Sequence, residues 1–276
     1  MKTTNVTGGG DVRLNVHEWG NPEGKPLLFI HGWSESHVSW LRQYESDLAN
    51  EFRIVAGDNR GHGMSESPDG EAHYTQSRLW AEDVNAVITQ LELDKPILVG
   101  WSYGGLIMTD YVREYGDAQI AGINFVGAAT QLGGDTIGKY IGPGFTDPLQ
   151  ATLERDLGAA IDGIRQINDN CFVRRLPRED YERVLCWTMI PKPEVRAALL
   201  NRDVNADDIL SSISVPVLIT HGSKETLVLP AMAEHVAGEC RNGRISWYDD
   251  CGHGPFLEDP KRFNEELREF ASTTCS

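Results

Sequence analysis

Short runs of apolar and β-branched residues alternate with longer helical patterns along most of this sequence. A run that is apolar at every position is typical of a strand that is buried on both faces of a sheet. Strands of this kind that alternate with helices form a mostly parallel sheet covered by helices. We therefore predict an α/β fold with eight strands, the first two antiparallel: Lys2–Thr7, Val12–Trp19, Pro26–Ile30, Phe52–Ala56, Pro96–Val99, Ile120–Val126, Val215–Thr220 and Arg244–Tyr248.

The region between residues 128 and 212 interrupts this alternation. It opens with a glycine-rich, proline-containing stretch, Gly133–Pro148, which is typical of a loop. We interpret residues 128–212 as a helical cap inserted in a core that consists of residues 1–127 and 213–276. The helical patterns of the cap lie at Leu149–Asn168, Arg178–Met189 and Pro193–Leu200.

The composition narrows the classes of partner. The formal net charge of −16 would repel nucleic acid and anionic membrane surfaces. No run approaches the roughly 18 apolar residues that a membrane-spanning helix needs. The first residues also lack the apolar centre of a secretory signal, so we expect a cytoplasmic protein.

The cysteines lack the spacing of a zinc site, so we expect no metal and free thiols at Cys171, Cys186, Cys240, Cys251 and Cys275. The sequence leaves the oligomeric state open.

The segment Gly100–Gly104, with the sequence GWSYG, follows one predicted strand and precedes a helical run, Leu106–Glu114. A serine on a sharp strand-to-helix turn is exposed at the carboxyl end of the sheet, and the glycines let strand and helix approach each other. Glycine and serine also occur in ordinary turns, so the interpretation depends on the flanking strand and helix. Ser102 is therefore our candidate nucleophile.

Two further loops are expected at the same edge of the sheet. His31-Gly-Trp33 follows the third strand, and the N–H groups of Trp33 and Tyr103 could together hold a developing oxyanion. His253 follows the last strand, and neutral imidazole can take a proton from Ser102 near pH 7. We predict an oxyanion hole at Trp33 and Tyr103 and a general base at His253.

A carboxylate should orient the imidazole of the base. Glu225 follows the penultimate strand, so the chain order is Ser102, Glu225, His253, as a serine nucleophile of this strand-turn-helix type requires. We favour Glu225 on this ground. Asp135, which follows the strand ending near Val126, and the adjacent pair Asp249 and Asp250 remain alternatives.

Motifs in five places resemble, in order, those of the α/β-hydrolase superfamily: Phe29–Trp33, Asp58–Ser65, Gly100–Gly105, His221–Pro230 and Gly252–Glu258. The resemblance extends over nearly the whole chain and implies an eight-stranded, mostly parallel sheet with helices on both faces and an inserted helical cap. Within the superfamily the chain is similar to the arylesterase, non-haem chloroperoxidase and perhydrolase-like group. That similarity implies hydrolysis of carboxylic esters without a cofactor. Members of the superfamily usually carry aspartate where this chain has Glu225.

The leading hypothesis is a serine hydrolase that cleaves small to medium-sized esters through an acyl-enzyme. Phe145, Trp187 and Met189 of the cap are expected to wall the substrate pocket. A carbon–carbon bond hydrolase acting on a keto-acid is the alternative enzyme, because Arg174, Arg175 and Arg178 could pair with a substrate carboxylate. A ligand receptor of the same fold with weak turnover is the alternative from another class.

Overall fold

A computed structural model describes residues 1–274, so the predicted free thiol at Cys275 lies outside the described residues. The other predicted thiols, Cys171, Cys186, Cys240 and Cys251, are free. The strands are β1 (Lys2–Thr7), β2 (Arg13–Gly20), β3 (Pro26–Ile30), β4 (Arg53–Gly57), β5 (Ile97–Trp101), β6 (Gly122–Val126), β7 (Gln131–Leu132), β8 (Val204–Asn205), β9 (Val217–Gly222) and β10 (Gly243–Tyr248).

The central sheet has eight strands in the order β1-β2-β4-β3-β5-β6-β9-β10, and β7 pairs with β8 separately. β2 runs antiparallel to β1 and β4, whereas the remaining neighbours in the sheet are parallel. The predicted α/β-hydrolase fold, with its eight-stranded, mostly parallel sheet, is therefore confirmed. Parallel strands present their carboxyl ends at one edge, which is where ligand sites form in sheets of this kind.

The helices cover both faces of the sheet. They are α1 (Leu41–Tyr44), α2 (Leu48–Glu51), α3 (Ala72–Thr75), α4 (Ser77–Gln90), α5 (Gly104–Tyr115), α6 (Pro143–Thr152), α7 (Leu157–Cys171), α8 (Arg178–Thr188), α9 (Pro193–Leu200), α10 (Asp207–Ser212), α11 (Pro230–Glu239), α12 (Pro255–Glu258) and α13 (Pro260–Thr273). None of the helices in the described part of the chain has the length and apolar character needed to cross a membrane.

Alternate residues of β5 contribute to different cores, as the two-residue period of a strand requires. Leu98 belongs to a buried apolar cluster that includes Leu106 of α5, whereas Ile97 and Val99 belong to a second cluster that includes Leu267 of α13. All three side chains of β5 are fully buried. The strand that precedes Ser102 is thus packed on both faces, which fixes the position of its carboxyl end.

The helical prediction between residues 133 and 168 was wrong in its boundaries. α6 begins at Pro143, in the stretch predicted as loop, because proline is tolerated in the first turn of a helix. Pro148 inside α6 cannot donate to the Gly144 carbonyl, which instead accepts from the Asn170 side chain at 2.8 Å. The predicted helix Leu149–Asn168 is divided, because α7 starts anew after Asp156, whose side chain caps it. The cap boundaries 128–212 remain a prediction.

Candidate active site

Ser102 occupies the turn between β5 and α5. Its backbone is left-handed, with φ of +55°, a conformation that costs a non-glycine residue about 1–3 kcal/mol. The surrounding chain holds this conformation: the Ser102 N–H donates to the Val126 carbonyl at 3.0 Å, and its carbonyl accepts from the Ala129 N–H at 3.0 Å. Both anchors belong to β6 and the loop behind it, so the neighbouring strand fixes the position of the serine.

Glycine is required on the helical side of this turn. A Cβ at Gly104 would lie 2.6 Å from the carbonyl oxygen of Ile30, and one at Gly105 would lie 2.5 Å from that of Ala129. These distances are too short for any side chain, and backbone atoms cannot move aside cheaply. The glycines after Ser102 therefore let α5 start directly against β3 and the loop after β6.

His253 and Glu225 are in direct contact and buried, with side chains 3% and 0% exposed. A hydrogen bond joins His253 Nδ1 to Glu225 Oε2, and Glu225 Oε1 accepts from the Leu227 N–H at 2.6 Å. The backbone of His253 is fixed as well, since its N–H donates to the Cys171 carbonyl at 2.7 Å and its carbonyl accepts from Trp101 Nε1 at 2.8 Å. Both oxygens of the carboxylate are thus engaged, and the imidazole has one orientation.

The alternative acids lie elsewhere. Asp135 is exposed in a short 3₁₀ turn, and Asp249 and Asp250 are exposed after β10. Asp250 pairs with Lys224 at 2.8 Å. Glu225 is the carboxylate that the described residues bring to His253 Nδ1.

The loop after β3 contacts the serine directly. A Cβ at Gly32 would lie 3.0 Å from Ser102 Cβ and 3.5 Å from its Oγ. His31 holds this loop from behind: its Nε2 accepts from the Asn59 N–H at 2.9 Å, and its Nδ1 lies 2.9 Å from the Gly32 carbonyl. Burial lowers the pKa of His31 to about 3, so the ring stays neutral and Nδ1 carries the proton.

The main-chain N–H groups of Trp33 and Tyr103 have no protein acceptor among the described residues. Their side chains are anchored on α9: Trp33 Nε1 donates to the Arg196 carbonyl at 3.0 Å, and the Tyr103 hydroxyl donates to the Leu199 carbonyl at 2.9 Å. Buried N–H groups are rarely left unpaired, so such groups beside a serine are available for a ligand oxygen.

A cavity connects these groups, because Ser102, His253, Trp33 and Tyr103 all line it. Phe145 of α6, predicted as a pocket residue, also lines the cavity. Most of the remaining wall is apolar and comes from α5, α7, the end of α9, β7 and the loops after β6, β7 and β9, at Leu106, Ala129, Leu132, Ile141, Ile167, Leu200, Leu227 and Val228.

The other two predicted pocket residues do not line this cavity. The Trp187 ring packs edge-on against His37 with ring centroids 5.3 Å apart. Met189 Sδ lies 3.8 Å from Arg196 Nη2. Both predictions were wrong because the end of α8 packs on the loop that follows Trp33, away from the cavity.

The three arginines that could pair with a substrate carboxylate do not reach the cavity either. Arg174, Arg175 and Arg178 are exposed, and none of them lines the cavity that contains Ser102. Arg178 pairs loosely with Glu182, one turn further along α8, at 3.7 Å.

One buried cluster of candidate metal ligands occurs among residues 1–274: His17, His37 and Asp58. Asp58 is already engaged, because it accepts from His37 Nδ1 at 2.7 Å and from the Met64 N–H at 2.9 Å. Burial, more than the neighbouring His37, lowers the pKa of His17 to about 4. The cluster therefore holds the loop after β4 in place.

Sequence reasoning missed three buried charged residues around the cavity: Glu35, Arg196 and Arg202. A faint signal existed for Arg196, since it interrupts an otherwise apolar run in α9. Glu35 follows Trp33 by two positions, and its place in the loop after β3 was the available clue.

The sequence profile of the alpha/beta hydrolase family matches residues 27–266, and the chain therefore belongs to that family. A solved structure of a provisionally assigned aryl esterase from Burkholderia cenocepacia is 32% identical, with a TM-score of 0.94 over 99% of both chains. The esterase RhEst1 from Rhodococcus sp. ECU1013 is 33% identical, with a TM-score of 0.92 over 99% of this chain and 100% of that chain. The non-heme chloroperoxidase of Streptomyces lividans is 26% identical over 97% of this chain and 99% of its own length. The resemblance to this group of α/β-hydrolases is confirmed.

Proposed function

We propose that this protein is a serine hydrolase that cleaves carboxylic esters of small to medium size through an acyl-enzyme intermediate. One observation carries the proposal: Ser102, held in a left-handed turn, shares a cavity with His253, whose Nδ1 is hydrogen-bonded to the buried Glu225. Similar proteins that are named esterases support the ester as the substrate class. Arg174, Arg175 and Arg178 are exposed and do not line the cavity, so they do not support a keto-acid substrate.

In the proposed reaction, Ser102 Oγ attacks the ester carbonyl while His253 Nε2 takes the hydroxyl proton. The Glu225 carboxylate fixes the tautomer of His253 and stabilises the imidazolium that forms. The N–H groups of Trp33 and Tyr103 hold the oxyanion of the tetrahedral intermediate, and each such donor contributes about 2.7–4 kcal/mol in comparable sites. His253 then protonates the departing alkoxide.

Deacylation repeats these steps with water as the nucleophile. His253 takes a proton from the water, the hydroxide attacks the acyl group, and Ser102 recovers its proton as the carboxylic acid leaves. The residues in this scheme require no metal or organic cofactor. We assign residues 128–212 as the cap, because Phe145 of α6 and Ile167 of α7 line the cavity. The cytoplasmic location and the lack of a nucleic-acid partner remain predictions from the sequence.

The decisive experiment combines a serine-directed probe with point variants. A fluorophosphonate should label wild-type protein at Ser102, identified by peptide mapping, and Ser102→Ala should lose labelling together with roughly 10⁴-fold or more of p-nitrophenyl ester turnover. Glu225→Gln should lower kcat by about 10³–10⁴-fold because the imidazole takes the wrong tautomer. Asp135→Asn and Asp250→Asn are matched controls that should keep wild-type kcat. Labelling at another serine, or near-wild-type turnover in Glu225→Gln, would reject these roles.

A further inference from the structure

Glu35 is a buried carboxyl that lines the same cavity as Ser102 and His253, and the proposed mechanism does not use it. It lies in the loop after β3, where its N–H donates to the Gly32 carbonyl at 3.3 Å. The residue is 6% exposed. The loop that contacts Ser102 therefore also brings an acidic side chain to the cavity wall.

No compensating positive charge lies beside Glu35 among residues 1–274. Its Oε2 accepts from the Ser39 hydroxyl at 2.9 Å, and Oε1 has no hydrogen-bond partner among the described residues. No lysine or arginine is among the described residues that line the cavity. The Cys171 thiol at the end of α7 also lines the cavity, and burial, followed by the charge of Glu35, raises its pKa.

Under these conditions Glu35 is a neutral carboxylic acid. Burial raises the pKa of Glu35 to about 8, and the hydrogen bond from Ser39 offsets only part of the shift. A protonated carboxyl can both donate and accept a hydrogen bond. Because the cavity wall is otherwise mostly apolar, a polar group with spare hydrogen-bonding capacity there favours a ligand that satisfies it.

We propose that Glu35 is a specificity-determining residue that donates a hydrogen bond to a substrate oxygen, so that the preferred substrates are esters bearing an ether, carbonyl or hydroxyl oxygen near the scissile bond. This inference rests on the proposed ester hydrolysis. A site that hydrogen-bonds a substrate oxygen disfavours the analogue that lacks it, because the buried group is then left unpaired. Esters with a carboxylate at the same position are disfavoured, since no cation in the cavity wall would neutralise it.

The competing explanation is that Glu35 only holds its own loop through Ser39. The two explanations differ in what a substitution does to pairs of esters that have the same shape. Replacing Glu35 in a purely structural role would change the turnover of both members of a pair alike. Replacing a hydrogen-bond donor to substrate would change only the member that carries the oxygen.

The experiment measures kcat/KM for p-nitrophenyl butyrate and p-nitrophenyl methoxyacetate, which differ by one methylene exchanged for oxygen. A second pair, p-nitrophenyl pentanoate and p-nitrophenyl 3-methoxypropanoate, places the oxygen one position further from the scissile carbonyl. In a third pair, butyl acetate and 2-methoxyethyl acetate, the oxygen lies on the alcohol side of the ester. For each pair, the ratio of kcat/KM for the oxygen-containing ester to kcat/KM for its methylene analogue is measured in each variant. This ratio is divided by the wild-type ratio, which cancels the intrinsic reactivity of the esters. The variants are Glu35→Leu, Glu35→Gln and, as an exposed acid outside the cavity, Glu45→Leu.

For at least one pair, Glu35→Leu is expected to lower the oxygen-to-methylene ratio by roughly three- to tenfold, the range of a single net hydrogen bond. Glu35→Gln, which has nearly the same shape and still donates from its amide, should retain most of the preference, and Glu45→Leu should retain all of it. The rate of fluorophosphonate labelling verifies that each variant keeps a folded site.

Unchanged ratios in Glu35→Leu for all pairs, with labelling and butyrate turnover intact, would overturn the role of Glu35 alone. If Glu35→Leu does not fold, Glu35→Met, which has a similar length and cannot donate a hydrogen bond, takes its place, and unchanged ratios in that variant would overturn the role of Glu35 in the same way. If the wild-type protein neither hydrolyses esters nor reacts with the probe, the proposed function fails, and this inference fails with it.

Discussion

The side of the cavity formed by the central sheet and α5 (the sheet side) and the side formed by α6 to α9 (the helical side) stabilise their buried arginines differently. On the sheet side, Arg202 pairs with Asp110, with Nη2 at 2.9 and 2.7 Å from the carboxylate oxygens and side chains 1% and 2% exposed. On the helical side, Arg196 is as deeply buried, but its hydrogen-bond acceptors in the described part of the chain are neutral: Ser34 Oγ at 3.0 Å, and the carbonyls of Thr152 at 3.0 Å and Thr188 at 2.7 Å. Burial lowers the pKa of Arg196 to about 10.

The difference indicates what each arginine holds in place. Arg202 Nη1 donates to the Tyr103 hydroxyl at 3.0 Å, so the ion pair with Asp110 fixes the residue that follows Ser102 from inside the core. Arg196 joins the ends of α6 and α8 to the loop after β3, at Ser34. The sheet side thus depends on charge neutralisation, whereas the helical side depends on hydrogen bonds alone.

Breaking the ion pair should produce the largest effect. Asp110→Asn leaves the Arg202 guanidinium buried without a counter-charge, and we expect the free energy of unfolding in urea to fall by about 3–5 kcal/mol. Asp208→Asn removes the partner of the exposed Arg113 and should cost about 0–1 kcal/mol. The double variant Asp110→Leu/Arg202→Met should recover most of the loss. A loss in Asp110→Asn no greater than that in Asp208→Asn would show that the pair does not hold the sheet side.

Removing Arg196 should have a smaller effect, because no opposite charge is left behind. Arg196→Met leaves the buried Thr152 carbonyl without its donor and removes one of the two donors to the Thr188 carbonyl, which keeps the Ser34 hydroxyl, and we expect a loss of about 1–3 kcal/mol in the free energy of unfolding. Arg155→Met, on the exposed pair with Glu194, is the control for losing a surface arginine. A destabilisation equal to that of Asp110→Asn would erase the contrast between the two sides.

The sequence predicted the sheet side well because its signals are local. Each core strand is an apolar run buried on both faces, so strands such as Pro26–Ile30 were found with their bounds. Ser102, Glu225 and His253 each follow such a strand, and parallel strands bring their carboxyl ends together without help from the rest of the chain. The glutamate in place of the usual aspartate did not obscure this order.

The helical side was predicted less well because its signals depend on tertiary contacts. Pro148 indicated a loop, but the Asn170 side chain supplies the hydrogen bond that the helix lacks there. Trp187 has the size and apolarity of a pocket residue, yet the packing of α8 on His37 decides where it lies. The place of Glu35 in the loop after β3 was too weak a clue, because the sequence does not show which charges would face it.

Glu35 extends the comparison to acids, and its effect on stability between neighbouring pH values should be the smallest of the three. In the folded protein its pKa is raised from 4.5 to about 8, so between these values the folded protein binds a proton that the unfolded chain has released. The stability that this group contributes is therefore present at low pH and is lost as pH rises from about 4.5 to 8. One proton changes the free energy of unfolding by at most about 1.4 kcal/mol per pH unit. Urea unfolding at one-unit intervals from pH 5 to 9 should therefore show stability falling more steeply in the wild type than in Glu35→Gln, with Glu45→Gln as the control for losing a surface carboxylate. Parallel curves for wild type and Glu35→Gln would mean that Glu35 ionises in the folded protein as readily as in the unfolded chain, and the helical side would then hold its acid no differently from the surface.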